Sequence, residues 1–405
     1  MVTDQNANGN VTRPTNFGGA EHSRERFDVA IVGGGVIGLS CAWRAAQRGL
    51  SACVIERDAP GAGASSVAAG MLAPVGEASW GEERLLELNL ASARMFADFA
   101  HELEAASLTP VPYRRCGALH VATDRDEAEE LRRRLTLHES LELDSEWLLP
   151  SECRALEPSL SPDIGPGLLA RDEAEIDPRA LIAALHGACV RSGVALLVGS
   201  EVSGLLLSGK TADGVRLDDG REIAAAQVVV AAGAWSGAAS WLPEEVRPPV
   251  RPVKGEVVRL RGASGEQVLG RIVASERVYI VPREGGEVVL GATVQERGFD
   301  TTVTAAGVHE LLREAYRAVP ETAELEFVEA SAGLRPGTPD NAPIIGETSI
   351  QGLLLAGGHY RNGVLLAPIT ADIIGSLLAG GELPASAAAV SPARFAPAGG
   401  VGRGS

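Results

Sequence analysis

The residues best able to do chemistry fall into an N-terminal glycine turn and two arginine-bearing segments far downstream. Gly33, Gly35 and Gly38 stand in G-x-G-x-x-G spacing after the apolar run Val29 to Val32, and Glu56 closes the next apolar run. A pyrophosphate needs this construction. Gly33 permits the tight turn, Gly35 lets the backbone approach the phosphates, and Gly38 lets the helix pack close to the strand with its N–H groups aimed at the anion. Glu56 can accept hydrogen bonds from a ribose hydroxyl. Downstream, Arg335 sits in G-L-R-P-G-T and Arg361 in H-Y-R-N-G. Both are expected in rigid turns, where a guanidinium can hold a carboxylate bidentately and stays charged when partly desolvated. Tyr279, in V-Y-I-V-P-R, falls on an expected sheet strand and adds a hydroxyl donor. No Ser-His-Asp or Cys-His pairing stands out, the seven histidines are scattered, and no metal-ligand cluster appears. His359 reads as a structural or cofactor-contacting residue rather than a base. That set suits amine oxidation, in which a neutral amine passes a hydride to a cofactor and positioning contributes most of the catalysis.

Two kinds of sheet must position these groups. Residues 27–32 and 52–56 are wholly apolar, the pattern of parallel strands buried on both faces, with a helix at about 36–48 between them. Residues 61–70 are small throughout and read as a loop lying close to something. Residues 82–106 and 126–139 read as helices. Asp177-Pro178 is a strong helix start, an N-cap followed by proline at the first helical position. Strands are expected at 194–198, 201–207 and 226–231. The last runs into A-A-G-A-W, where Gly233 marks a return to the cofactor sheet. Residues 250–294 alternate as antiparallel strands do, followed by a helix at 305–318, a strand near 325–332, and a final helix starting near Gly363. The expected fold is α/β, a Rossmann-type dinucleotide domain with an inserted, mostly antiparallel substrate sheet. Residues 27–80, 150–245 and 333–382 are assigned to the cofactor domain, and 81–149 and 246–332 to the substrate domain. Residues 1–25 are expected to be a disordered tail and 386–405 a loose one. Two glycine-rich loops so far apart, plus the small-residue loop, suit an extended flavin dinucleotide better than a nicotinamide one, which makes FAD the expected cofactor.

Composition narrows the partners. Hydrophobic content of 45% and charged content of 22% in 405 residues describe an ordinary globular protein. A formal charge of −17 opposes broad contact with nucleic acid or anionic lipid. The five cysteines are odd in number and lack a C-x-x-C pair, which fits buried thiols in a reducing compartment. No signal-peptide pattern or membrane span is read, so a cytoplasmic location is expected.

The chain resembles the FAD-dependent amino-acid oxidases of the D-amino-acid oxidase superfamily, and most of all the glycine oxidases of thiamine biosynthesis. The carriers are I-V-G-G-G-V-I-G, A-A-G-M-L-A-P, E-I-D-P-R-A-L, V-K-G-E, V-Y-I-V-P-R, G-A-T, L-R-P-G-T-P-D and H-Y-R-N-G-V-L-L-A-P, across about residues 27–380. The resemblance implies that Val36 and Ile37 sit at the phosphate turn and Glu56 with Arg57 at the adenosine ribose. It places Ala64, Ser65, Ala69, Gly70 and Met71 along the pyrophosphate and flavin, and Val202 at the adenine. His359, Tyr360, Arg361, Asn362, Gly363, Val364 and Leu365 would cover the flavin's pyrimidine side. Arg335 would clamp the substrate carboxylate beside Tyr279, with Arg361 and Met71 completing the pocket and no general base required. It implies a small amino-acid substrate, O2 as acceptor, peroxide as product, and a homo-oligomer. Alternatives are a sarcosine or small D-amino-acid oxidase, a dehydrogenase using another acceptor, and a non-catalytic flavoprotein. Two departures leave substrate size open: Val294 follows G-A-T where the family often has methionine, and Arg277 stands where a histidine is expected. Residues 325–365 contain no cysteine to tether a flavin, so non-covalent FAD is expected.

Overall fold

The structure, a computed structural model, describes residues 26–395. The tails expected at 1–25 and within 396–405 lie outside the described residues.

The apolar runs build a sheet whose parallel core comprises Leu353–Gly357, Glu222–Val230, Arg26–Val32, Ala52–Glu56 and Ala195–Val198, in that spatial order. The strand Glu222–Val230 is shared along its length. Its first residues pair antiparallel with Thr211–Leu217, while Val228 to Val230 pair with Leu353 to Leu355. Thr211–Leu217, a strand absent from the sequence reading, forms a hairpin with Val202–Ser208.

The glycine turn is sterically required. Gly33 has φ +110°, a left-handed conformation that side chains avoid, and a Cβ there would meet the Ala231 carbonyl carbon at 2.9 Å. A Cβ on Gly38 would press into the Gly33 carbonyl. The helix Val36–Gln47 can therefore leave the turn flush against the sheet and bury Leu39, Cys41, Ala42, Trp43 and Ala45. On the same layer lies the helix Pro178–Arg191. It starts where the sequence reading placed it, with the Asp177 carboxylate accepting from Arg179 N at 2.7 Å. Such a cap contributes about 1 kcal/mol.

The second sheet orders Glu326–Gly337, Arg251–Arg261, Glu287–Gly291, Tyr279–Pro282, Ile272–Ala274, Ala118–Val121, Gly167–Ala170 and Glu146–Leu148. All its neighbours are antiparallel except Ile272–Ala274 beside Ala118–Val121. Gly167–Ala170, assigned from sequence to the cofactor segment, pairs here. A small third sheet joins Met71–Leu72, Ala174–Ile176 and Tyr113–Arg114.

Four local expectations change. Residues Ala64–Val67 form a short helix inside the segment read as a loop. Arg335 is on the strand Glu326–Gly337 rather than in a turn, because pairing with Arg251–Arg261 continues through Gly337 and overrides the Pro and Gly signals. The last helix is Ala367–Ala379, starting beyond Gly363, with Pro368 in its first turn. Residues Ala385–Val390 and Pro392–Phe395 form 3-10 turns within the segment read as a loose tail, and Ala387 and Val390 are buried against the core.

Candidate active site

One cavity of about 910 Å³ runs between the two sheets. Its walls come from strand ends of the first sheet and from one face of the second, which is why residues distant in sequence meet in it. At one end stand Gly33, Gly35, Val36, Ile37, Glu56, Arg57, Val202 and Gly233. Ala64, Ser65, Ala69 and Met71 line its length, and Tyr279, Arg335, His359, Tyr360, Arg361, Gly363 and Val364 its other end. Gly38, Gly70, Asn362 and Leu365 stand behind the wall. Gly38 is held under the Gly33 carbonyl, Gly70 under Ile176, and Leu365 offers its carbonyl to Ser92 Oγ at 2.6 Å.

The first end is built for an anion and a ribose. Val36 N donates to Ser65 Oγ at 3.1 Å, so the short helix at 64–67 lies directly on the start of the long one. The Glu56 carboxylate accepts from Gly34 N at 2.6 Å and Asp58 N at 2.9 Å, leaving acceptor capacity toward the cavity. The Arg57 guanidinium lies over the Trp235 ring at 4.1 Å, and Trp235 stacks on Phe299 at 5.8 Å.

The other end is built around Arg335. Its Nη1 donates to Thr293 O at 3.0 Å, and among the described residues no carboxylate reaches salt-bridge distance. Two glycines make its setting possible. A Cβ on Gly255 would lie 2.5 Å from Arg335 Cζ, and one on Gly291 would run into the Tyr279 ring. A glycine inside a strand marks such close approaches, and the V-K-G-E and L-G-A-T segments carry them here. Burial raises the Tyr279 hydroxyl above its usual range against the opposing pull of Arg335, so it stays a protonated donor.

Arg361 has a different setting. Its Nη2 donates to Glu82 Oε2 at 2.9 Å and to the Glu77 carbonyl at 3.3 Å, and its Nε lies 3.4 Å from Glu77 Oε2. Glu77 lines the cavity and escaped the sequence reading, since its partner lies 284 positions away. His359 is buried and its Nε2 contacts Thr370 Oγ1 at 2.9 Å. Burial lowers its pKa to about 3, so it is neutral and serves structure rather than proton transfer. Val294 is 65% exposed on the cavity rim, whereas Arg277 is exposed and away from the cavity. Among the described residues no His, Cys, Asp and Glu group could hold a metal, and no helix is long and apolar enough to cross a membrane.

The cavity joins a dinucleotide cradle to an unneutralised guanidinium, and residues 28–377 match the family described as FAD dependent oxidoreductase. The chain belongs to that family. Its cofactor is FAD. The chain is 36% identical over 354 residues to a bifunctional ThiO/ThiG protein of Trichormus variabilis, covering 87% of this chain but 52% of that protein. The chain thus spans about half the length of that relative. It is 35% identical over 359 residues to a glycine oxidase of Geobacillus kaustophilus, covering 87% and 93% of the two chains. The crystal structure of glycine oxidase from Geobacillus kaustophilus superposes with a TM-score of 0.85 at 34% identity, covering 91% of this chain and 99% of that one. The doubly wound sheet with its inserted antiparallel sheet is therefore the fold of this flavoprotein oxidoreductase, as the sequence indicated. The residues fit FAD: the α-helix N-terminus at Val36 has no side-chain cap of its own and faces the cavity, and the cradle continues into an apolar wall at Val67 to Met71.

Proposed function

We propose that the protein oxidises the amine of glycine, or of an amino acid nearly as small, to an imine that hydrolyses to glyoxylate and ammonia. O2 takes the electrons and leaves as H2O2, and the imine serves thiazole synthesis in thiamine formation. The carrying observation is Arg335: a guanidinium in the cavity, fixed by Thr293, with no carboxylate of the protein on it among the described residues. A cation so placed, beside a protonated Tyr279 hydroxyl, calls for an anionic ligand small enough for the space that Gly255 and Gly291 open. The names of the similar proteins, glycine oxidase and ThiO, support the same reading.

FAD bound in the cavity supplies the two-electron acceptor. Gly33 to Ile37 and Ser65 would hold its pyrophosphate, Glu56 and Arg57 its ribose, and Val202 its adenine. Ala69 to Met71 and the 359–365 segment would hold its ring system. The cavity lining contains no cysteine, which supports non-covalent binding. Arg335 and Tyr279 hold the substrate carboxylate and so fix which α-hydrogen faces the ring. Val67, Ala68 and Ala69 line that end without polar side chains and help keep water from it. Cys41, Cys116, Cys153 and Cys189 carry free thiols, in keeping with a cytoplasmic protein.

The open rim at Val294 favours a second reading, in which a substituent on the substrate nitrogen is admitted and sarcosine is also oxidised. A peroxide assay of the FAD-loaded protein over glycine, sarcosine, N-ethylglycine and small D-amino acids tests both. Glycine or sarcosine should give the highest turnover. Absence of peroxide with every amine, together with no anaerobic bleaching of the flavin, would refute amine oxidation.

A further inference from the structure

Of the acids lining the cavity, Glu56, Asp58, Glu201 and Asp218 cluster at the ribose end, joined through Asp58 N to Glu56, Ser200 N to the Glu56 carbonyl and Asp218 N to the Glu201 carbonyl. Glu77 is placed elsewhere. It lines the end shared by Arg335, Tyr279 and Arg361. We propose that Glu77 is a catalytic residue: it receives the ammonium group of the zwitterionic substrate whose carboxylate Arg335 holds, and it takes one proton from that nitrogen. The proposal rests on the function proposed above.

The charges carry the inference. Arg361 is sandwiched by two carboxylates, Glu82 at 2.9 Å and Glu77 at 3.4 Å, so that cluster has one cation and two anions. Arg335 makes no ion pair among the described residues, although its charge reaches Glu77. The cavity therefore presents a net negative cluster and a separate cation, the complement of a zwitterion. Two unneutralised arginines would instead have selected a dicarboxylate. Because Glu82 does not line the cavity, Glu77 is the acid of the cluster that a ligand can meet.

The chemistry requires that the ammonium lose a proton, to solvent or to a group of the protein. Only an amine with a free lone pair can form the C=N bond, and glycine arrives protonated at neutral pH. In the step assigned to Glu77, an N–H bond of the ammonium breaks and an O–H bond forms on the carboxylate. The nitrogen keeps the electron pair and commits it to the C=N bond as the α-hydrogen leaves with its own pair to the cofactor. The two hydrogens of H2O2 are then accounted for, one from the α-carbon and one from Glu77. Burial pushes the Glu77 carboxyl above the usual carboxylate range. Arg361, Arg335 and Arg134 pull it down and Glu82 pushes it up. Tyr279 and Glu173 also face it, and both are held neutral in the neutral range by burial. A carboxylate poised in this way is a better proton acceptor than one in water.

The experiment uses the FAD-loaded enzyme with Glu77→Gln, and Glu82→Gln as the variant that weakens the grip on Arg361 without altering the cavity lining. Glycolate, a carboxylate lacking the ammonium, is titrated by its perturbation of the flavin absorbance. Glycine kcat/KM is measured from pH 6 to 10. In Glu77→Gln, kcat/KM at pH 7 should fall by about 100-fold or more and climb about tenfold per pH unit as the substrate loses its own proton. Glycolate should bind that variant as tightly as the parent or more so. Glu82→Gln should show no such steepening. The proposal is overturned if Glu77→Gln keeps the parent's pH profile, or if it loses glycolate and glycine binding equally, which would make Glu77 only a support for Arg361. A parent enzyme inactive on every small amine would overturn the function and this proposal together, whereas an active parent with an active Glu77→Gln overturns this proposal alone.

Discussion

Gly255→Ala is a sharp test of why a glycine stands in the middle of the strand Arg251–Arg261. The added methyl would lie 2.5 Å from both Cζ and Nη2 of Arg335. Carbon and nitrogen at rest are about 3.5 Å apart, so the guanidinium must move by about 1 Å. Backbone cannot absorb the clash cheaply, because Val253 to Val257 pair with Ser331 to Arg335 on one side and Val257 pairs with Gly291 on the other. Arg335 would then leave Thr293 O and could keep only one of the two bonds of a bidentate clamp. One charge-assisted hydrogen bond is worth about 1.5–3 kcal/mol, so KM for glycine should rise by ~10- to 100-fold. The fold should survive, since alanine in a strand loses less conformational entropy than glycine. FAD content and far-UV circular dichroism check that, and steady-state peroxide kinetics give KM. A folded, flavin-replete variant whose KM stays within about twofold of the parent would show that Arg335 is not the clamp, or that its position does not matter.

Arg335→Ala should raise KM by roughly 30- to 1,000-fold, the equivalent of ~2–4 kcal/mol for one partner of a desolvated charge pair, while FAD binding is retained; steady-state kinetics beside the flavin-to-protein absorbance ratio separate the two. Gly38→Ala should yield protein depleted in flavin, because its Cβ meets the Gly33 backbone rather than a movable side chain, and the same absorbance ratio reads the loss. Stability should peak near neutral pH. Burial lowers His120 and His359 to about 3 and His138 to about 4, so the unfolded chain binds more protons as pH falls through 6.5 and stability drops. Burial raises Glu173 to about 8, so the folded state holds a proton that the unfolded chain has released, and stability drops again as pH rises from 4.5 through 8. Glu173→Gln should flatten the alkaline side of a plot of thermal midpoint against pH; an unchanged alkaline slope would assign that loss to another group.

The cofactor end was legible because its signals are local. Gly33, Gly35, Gly38 and Glu56 report their own turn and strand end, and Asp177-Pro178 its own helix start. Elements set by pairing were harder to read. Arg335 looked like a turn residue because Pro336 and Gly337 follow it, yet an antiparallel partner keeps the strand going through both. Gly255 and Gly291 were visible, but only the side chains that cross them explain why they are glycine. Glu77 could not have been found by pattern, since it lies in an irregular segment and its importance arises from Arg361. The same pairing changes what Arg361 can do, because a cation already held between two acids is a poor second clamp.

The divided strand Glu222–Val230 has a consequence for biosynthesis. Val228 to Val230 pair with Ala30 to Val32 on one side, but their other edge stays open until Leu353 to Leu355 dock on it, and the far cavity wall comes from Ala356, Gly357 and the 359–364 segment. Val230 and Leu353 are roughly 120 residues apart, so at about 5–20 residues per second the ribosome needs some 6 to 25 s between them. Over that interval the nascent chain carries an apolar sheet edge with open hydrogen-bonding groups, a template for mispairing. The cofactor can close its cradle only after the last strand is docked, so flavin binding follows synthesis of nearly the whole chain and then stabilises the closed fold by mass action.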